Sequence, residues 1–458
     1  MAMDSDSCME LEVRWSASGN IAHSILMMSA MRIAEIKAVI REKVGIPVEE
    51  QRLLDKHGQE LSGDWFVKAG EACSPLMLVR CVTDPCITNL GHFRACTNNF
   101  PMFPLGQFTV VNKLAEGIHG DVFRCSWQRQ ESAGAESVAV KKLRNEGILT
   151  CLEKETDERT IHLRTWEQAP EAEDALTEIG ILQYLMEQPD LSPHLLRMLA
   201  VYADDGYTWL VTELAEGGEL FAVAASESIT EVRVQSYMWQ LLHAVDYLHD
   251  HNIGHRDISL ENMLLKDGSV KLMDFGMAVR SCTVSGAPLR YFRGVGKDNY
   301  RAPEAYVPAS ATVNARVPFN LPPDGVATVQ TSSDHLCEVR FSPHAVPGST
   351  CMAEVWGYGA KPSDIFASGV CFFILSWSLP PWVRAELVDP MFSYVYRRGE
   401  SGLPDLLRHW GKPLLSEKGM QLLSQMMCPN PCQRPSAKEC LMHPWLAQTA
   451  TDVDVAMG

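Results

Sequence analysis

The sequence predicts an α+β protein built from two units of unequal size, and three observations predict it. A chain of 458 residues is longer than one hydrophobic core usually serves. Two unlike patterns divide it: a short strand–strand–helix–strand run near the N-terminus, and a longer run that opens on paired strands and carries helices further on. Between them residues 82–106 hold Asp84-Pro85, Asn98-Asn99, Pro101 and Pro104, the composition of a linker.

Bulk composition narrows the function classes. Hydrophobic residues at 46% and charged residues at 21% describe a globular chain. The longest apolar stretch, residues 368–381, is too short for a membrane span and reads as a buried helix, so no span is expected. The opening Met-Ala-Met-Asp-Ser-Asp lacks the basic start and apolar core of a signal peptide. The 14 cysteines form no Cys-x-x-Cys pair, which fits reduced thiols and a cytoplasmic or nuclear location. A net charge of −17 argues against nucleic acid as a partner, because phosphate backbones select basic faces.

Residues 9–81 read as a domain of their own. Glu10-Leu11-Glu12-Val13-Arg14-Trp15 alternates like a half-buried strand, and residues 32–44 read as a helix with Ile33, Ile36, Ile40 and Val44 on one face. Gly45 and Pro47 end it, and short strands follow at 51–54 and 76–79. The string from Ile36 to Pro47, with Lys43-Val44-Gly45-Ile46-Pro47 and then Gln51-Arg52-Leu53-Leu54, resembles ubiquitin. The resemblance implies a β-grasp domain. Cys81-Val82 stands where conjugation needs two glycines, so the domain is expected to be fixed and not a transferable tag. Leu54, Met77 and Val79 fall on ubiquitin's docking patch. They either bind ubiquitin-binding proteins or serve as ordinary strand residues or packing against the rest of the chain.

Two further patterns carry chemistry. Residues 108–111, a glycine-bearing turn at Glu116-Gly117-Ile118-His119-Gly120, and Val122-Phe123 read as a strand pair whose turn can approach phosphates. Val138-Ala139-Val140-Lys141 is an apolar strand that ends in a point charge suited to the same phosphates. Downstream, His255-Arg256-Asp257-Ile258-Ser259-Leu260-Glu261-Asn262 precedes Asp274-Phe275-Gly276. Two carboxylates and an amide so spaced can orient a hydroxyl nucleophile and offer oxygen ligands to Mg²⁺.

These strings, in this order and followed by Ala302-Pro303-Glu304, resemble the eukaryotic protein kinase family from residue 107 to residue 446. The resemblance implies a bilobal kinase fold, with an N-lobe at 107–214, a C-lobe at 215–446 and a tail at 447–458. It implies ATP and Mg²⁺ as cofactors and protein hydroxyls as substrates. Asp257 would accept or orient the hydroxyl proton, and Asn262 and Asp274 would hold Mg²⁺. Lys141, paired with Glu178, would meet the phosphates. Gly117, Gly120, Val122, Ala139, Thr212, Leu264, Met273 and the backbone of Glu213 and Ala215 would form the ATP pocket. Asp364, at the start of the family's central buried helix, would anchor the catalytic loop, and Arg434 would pair with Glu304.

The departures from the family pattern are specific. Ala115 replaces the first loop glycine. Serine/threonine kinases carry lysine two residues after the catalytic aspartate, where this chain has Ser259; tyrosine kinases carry arginine two residues further on, where it has Glu261. Lys297 occupies a position that is threonine in serine/threonine kinases. It either projects its ammonium into the space vacated at Ser259 or points to solvent. Arg256 implies a pocket for a phosphate on Ser281, Thr283 or Ser285, or less readily Tyr291, yet basic Arg293 occupies the position usually phosphorylated. Glu219 and Glu261 would favour basic substrates or are simply solvated. An insertion at about 308–355 repeats a Pro-x-x-Leu/Val-Pro core at Pro318 and Pro343 and reads as a duplicated β unit. The expected function is serine/threonine phosphorylation by an enzyme with a ubiquitin-like module; a nucleotide-binding pseudokinase scaffold is the alternative, and an adaptor for ubiquitin-binding proteins is compatible with either.

Overall fold

The structure is a computed structural model that describes residues 9–447, except 16–20, 28–29, 45–47, 49–50, 56–60, 62–64, 68–74, 81–99, 118–119, 130–133, 146–173, 205, 227, 283–287, 309, 311 and 333. The expected linker at 82–106 therefore lies mostly outside the described residues, as do Gly45, Pro47, Thr283 and Ser285.

The N-terminal unit is a mixed sheet crossed by one helix. Strands β1 (Met9–Trp15) and β2 (Ile21–Met27) pair antiparallel. Two-residue strands β3 (Met31–Arg32) and β5 (Phe66–Val67) form a separate ribbon. Strand β4 (Gln51–Leu54) pairs antiparallel with β6 (Leu76–Arg80), and β6 runs parallel to β1, giving the order β2-β1-β6-β4. Helix α1 begins at Ile33, one residue later than the sequence suggests, because Arg32 is still paired in β3. The period-two set Leu11 and Val13 meets the helical set Ile33, Ile36 and Ile40, all fully buried, in one small core.

The larger unit opens on a five-stranded antiparallel sheet, β7 (Phe108–Gly117), β8 (Gly120–Trp127), β9 (Glu136–Arg144), β10 (Met198–Ala203) and β11 (Tyr207–Glu213), in the order β10-β11-β9-β8-β7. Helix α2 (Ala175–Met186) packs against it, buried on nearly all sides. Beyond β11 the chain is mainly helical: α3 (Leu220–Ser226), α4 (Glu231–Asp250), α5 (Ala360–Trp377), α6 (Pro390–Arg398), α7 (Gly402–His409), α8 (Glu417–Met426) and α9 (Ala437–Leu441). Two small antiparallel strand pairs support the site: β12 (Ile253–Gly254) with β15 (Val279–Arg280), and the hairpin β13 (Met263–Lys266) with β14 (Ser269–Leu272). The buried helix expected through the apolar stretch 368–381, with its start at Asp364, is α5; it starts at Ala360 and ends at Trp377, where Ser378 turns left-handed ahead of a proline pair. Among the described residues no helix is long and apolar enough to cross a membrane.

The insertion forms its own sheet of β16 (Thr312–Arg316), β17 (Val326–Gln330), β18 (Leu336–Arg340) and β19 (Thr350–Val355). Each proline-bearing repeat links two of these strands, β16 to β17 and β18 to β19. The strands of the second unit pair with each other, and those of the first are parted to flank them, β16 on β19 and β17 on β18. The sheet order is β16-β19-β18-β17, with Val313, Ala315, Val339, Phe341, Ala353 and Val355 in a common core. Arg340 stacks on Trp356 and donates to the carbonyl of Val44 at the end of α1.

Where this sheet leaves the main body, Glu304 and Arg434 form a bidentate ion pair at 2.5 and 2.7 Å with neither side chain exposed. Removing one partner strands the other charge in the interior. Arg434→Met is expected to cost about 3–5 kcal/mol in urea unfolding, and Glu304→Gln in the same chain should restore part of it, because the orphaned charge then disappears.

Candidate active site

The cleft side of the sheet is set by strand alternation. In β9, Val138 and Val140 point into the core beside Cys125 and Trp127, so Ala139 and Lys141 face the other way. Ala139 lies directly across from Thr212, and Lys141 across from Val122, which brings four of the expected pocket residues onto adjoining strands. Gly117 and Gly120 pair at the mouth of the β7–β8 hairpin; the two residues between them are outside the described set.

Lys141 Nζ sits 2.7 Å from Glu178 Oε2, with the two side chains 17% and 9% exposed. Helix α2 holds that glutamate in place. Its N-cap, Asp174, accepts from Leu176 N at 3.2 Å and Thr177 Oγ1 at 2.7 Å, while the Asp174 N–H donates to the carbonyl of Gly276 at 2.9 Å. The last bond ties the start of α2 to the segment that carries Asp274.

On the far wall, Leu264 and Met273 are half-buried. The Glu213 carboxylate is engaged away from a purine: it meets Lys266 at 2.7 Å, Lys271 at 3.1 Å and the Arg197 N–H at 3.0 Å. Burial raises its carboxyl, and the Lys266 bond and these other donors outweigh that and lower it overall. The Glu213 N–H is engaged as well, donating to the Arg197 carbonyl at 2.9 Å.

The loop that bears Asp257 hangs from Asp364 in α5. Its carboxylate, 1% exposed, accepts the backbone N–H of His255 at 2.8 Å and of Arg256 at 2.7 Å, and His249 Nε2 lies at 3.0 Å. The His255 ring meets the Met273 carbonyl at 3.0 Å and packs on Phe275, which is buried beneath the loop. Asp274 adopts a left-handed φ of +66° and Arg256 one of +67°, unusual backbone for side-chain-bearing residues and held here by these bonds.

Four residues converge below that wall. Asn262 Nδ2 donates to Asp257 Oδ2 at 2.8 Å. Lys297 Nζ donates to Ser259 Oγ at 2.7 Å and to Asn262 Oδ1 at 3.1 Å, and lies 3.7 Å from Asp257 Oδ2. The Lys297 N–H reaches Asp257 Oδ1 at 3.2 Å. The ammonium thus fills the space beside Ser259 and does not point to solvent. Gly296 permits this approach: its φ is +84°, and a Cβ there would stand 2.6 Å from the Arg256 carbonyl and 3.2 Å from Asp257 Oδ1. Burial pushes the Asp257 carboxyl up, and Lys297 is the largest influence opposing it.

Of the glutamates assigned to the substrate side, Glu219 is exposed, whereas Glu261 turns one oxygen into the protein near Tyr300. Sequence reasoning missed Tyr358 and Glu338, two insertion-side residues that reach the segment after Asp274; the only local signal was glycine on either side of Tyr358.

Residues 108–315 match the protein kinase domain family model. The chain is 28% identical over 265 residues to calcium/calmodulin-dependent protein kinase type II subunit delta of Oryctolagus cuniculus, covering 57% of this chain and 39% of that protein. It is 25% identical over 295 residues to serine/threonine-protein kinase CHK1 of Saccharomyces cerevisiae, covering 64% and 46%. The matched part is less than half the length of either relative. The family match ends inside β16, where the inserted sheet interrupts the pattern. The family-model match and the two kinase relatives support the eukaryotic protein kinase family for this part of the chain.

Proposed function

We propose that this chain is an ATP-dependent protein kinase acting on serine and threonine hydroxyls, and that residues 9–81 are a ubiquitin-like interaction module. The observation that carries the first reading is one connected polar set, Asp257–Asn262–Lys297–Ser259, in a cleft that also holds the Lys141–Glu178 pair. Asn262 Oδ1 and the Asp274 carboxylate are hard oxygen donors and would hold Mg²⁺. Bound Mg²⁺-ATP supplies the phosphoryl group and neutralises its charge. Asp257 orients the acceptor hydroxyl and takes its proton, and its raised carboxyl suits a group that must receive one. Lys141 meets the phosphates, with Glu178 fixing its direction. Lys297 provides the cation missing at Ser259, delivered from the segment before Ala302-Pro303-Glu304 and not from the catalytic loop. Exposed Glu219 favours acceptors with basic neighbours.

The second reading rests on the module's sheet. Leu54 and Met77 face each other across β4 and β6, half-exposed, while Leu53 and Leu78 face the core. Val79 falls opposite Arg52, two residues along the strand from Met77; its side chain is outside the described set. A small apolar patch so placed suits ubiquitin-binding domains, with or without catalysis in the neighbouring unit.

Five outcomes are expected. Purified chain given Mg²⁺-ATP and a peptide library should label serine and threonine peptides, and Asp274→Ala should not; equal labelling would remove the enzyme reading. Lys297→Met should lower kcat by about a hundred- to a thousandfold with little change in the KM for ATP, the loss of about 2.7–4 kcal/mol seen when one preorganised charge contact is deleted. Ser259→Lys should recover part of it. The same Lys297→Met change removes the charge that holds Asp257 down, so the acid limb of its kcat/KM profile should move to higher pH. Leu54→Ala with Met77→Ala should weaken binding to an immobilised ubiquitin-binding domain and leave peptide phosphorylation unaltered.

A further inference from the structure

The insertion returns to the main body through Trp356-Gly357-Tyr358 and there meets the segment that follows Asp274. Tyr291 and Tyr358, both at most 1% exposed, exchange backbone hydrogen bonds of 2.9 and 2.8 Å. Gly357 makes the approach feasible, since at its φ of +68° a Cβ would lie 2.5 Å from the Tyr291 carbonyl. One residue before Tyr291, Arg290 Nη1 pairs with Glu338 Oε2 of β18 at 2.6 Å, and Glu338 is 2% exposed. Burial pushes that carboxyl up and Arg290 opposes it.

The same tyrosine reaches Arg256. Arg256 Nε donates to Tyr358 Oη at 3.0 Å, Tyr358 Oη donates to the Arg293 carbonyl at 2.8 Å, and Arg256 Nη2 donates to that carbonyl at 3.1 Å. The guanidinium stands 4.9 Å from the Tyr291 ring centre and 5.7 Å from that of Tyr358. A buried guanidinium is costly unless its donors are met. Here a hydroxyl, a carbonyl and two aromatic faces meet them, at the place where a phosphate's oxygens would otherwise do so. Four residues beyond Arg293 comes Lys297, whose backbone and ammonium contact Asp257 and Ser259. The position of Arg293 is thus passed directly to the reacting groups.

We infer that the inserted sheet replaces a phosphate in ordering this segment: Tyr358, aided by the Arg290–Glu338 pair, is a positioning residue that sets Arg256 and Lys297 without phosphorylation. The inference rests on the kinase reading for its catalytic part, but the clamp itself has an independent readout.

The full chain is treated with a broad-specificity protein phosphatase and compared with untreated chain, Tyr358→Phe and Asp274→Ala. Two measurements are made: peptide phosphorylation, and the rate of trypsin cleavage after Arg290 and Arg293. Phosphatase should change neither in the wild type. Tyr358→Phe keeps the ring and the backbone bridge and removes only the hydroxyl shared by Arg256 and Arg293. It should lower kcat about tenfold, as expected for a hydrogen bond to a charged donor, and speed cleavage at both arginines. The KM for ATP should stay where it is, and the melting temperature should fall by no more than about a few degrees, the cost of one lost buried hydrogen bond. Loss of wild-type activity on dephosphorylation overturns the proposal, as does a Tyr358→Phe chain with unchanged kcat and cleavage. A Tyr358→Phe chain that melts early and loses ATP binding as well shows general support of the fold, and overturns it too. If wild type and Asp274→Ala are equally inactive, the kinase reading has failed; the cleavage rates then decide the clamp, with faster cutting in Tyr358→Phe supporting it and equal cutting overturning it.

Discussion

Asp364 accepts two consecutive backbone N–H groups, those of His255 and Arg256, with a single buried carboxylate. The catalytic loop has little regular structure of its own, so its shape is borrowed from this bond pair and from the rigid helix behind it. Helix α5 is buried along most of its length, which makes Asp364 a fixed reference point. From it the loop places Asp257, the His255 ring fixes the Met273 carbonyl, and Phe275 fills the space beneath. Asp274 and Gly276 follow, and through Gly276 the start of α2, hence Glu178 and Lys141. The two walls of the cleft are therefore in register because one carboxylate in the larger lobe holds one end of a continuous chain of bonds.

The placement of the Lys297 ammonium beside Ser259 changes how that chain is closed. A lysine within the catalytic loop would be in place whenever the loop is. Lys297 lies on the segment beyond Asp274, and its ammonium reaches Ser259 and Asn262 only while Gly296 passes tightly over the Arg256 carbonyl. Order in that segment then becomes a condition for the charge to be present, and not merely for the cleft to be open. A side chain with several rotatable bonds loses more freedom in making such contacts than a short one would. The three oxygen neighbours of the ammonium offset that loss, and its exposure of 38% keeps the desolvation cost low.

Most of this site could be read from residues alone because its chemistry sits in short contiguous strings. Lys141, Asp257, Asn262 and Asp274 each stand in a run of three to eight residues whose order restricts their roles. Lys297 was reached by a different route, from a missing cation at Ser259 and an unexpected one nearby. Local pattern failed where partners are distant. Arg290 and Glu338 are 48 residues apart and Arg256 and Tyr358 are 102 apart, so nothing in either neighbourhood announces the pair. The repeat at Pro318 and Pro343 was visible, but its crosswise pairing was not, since two antiparallel units can close on themselves or on each other with the same alternation. The start of α5 was read at Asp364, four residues late, because its first turn carries Pro362 and little apolar signal.

The place of the insertion follows from the same constraints. It leaves the chain just after Glu304, pinned by Arg434, and rejoins it just before α5, pinned by Asp364. Both ends are held by buried groups that exist without it, and the entropy of closing a loop grows only slowly with its length. An added sheet between such anchors costs the main body little. What it adds depends on where the chain re-enters. Trp356-Gly357-Tyr358 must cross the segment bearing Tyr291 to reach α5, and that crossing is close enough for two backbone bonds. A single tyrosine hydroxyl on that path then falls within reach of the Arg256 guanidinium. The clamp therefore requires no special design of the four strands beyond a stable core and a fixed exit. This also explains the buried glutamate of β18: Cys337 and Val339 face the insertion's own core, while Glu338 lies on the opposite face with Leu336, which packs into the main core.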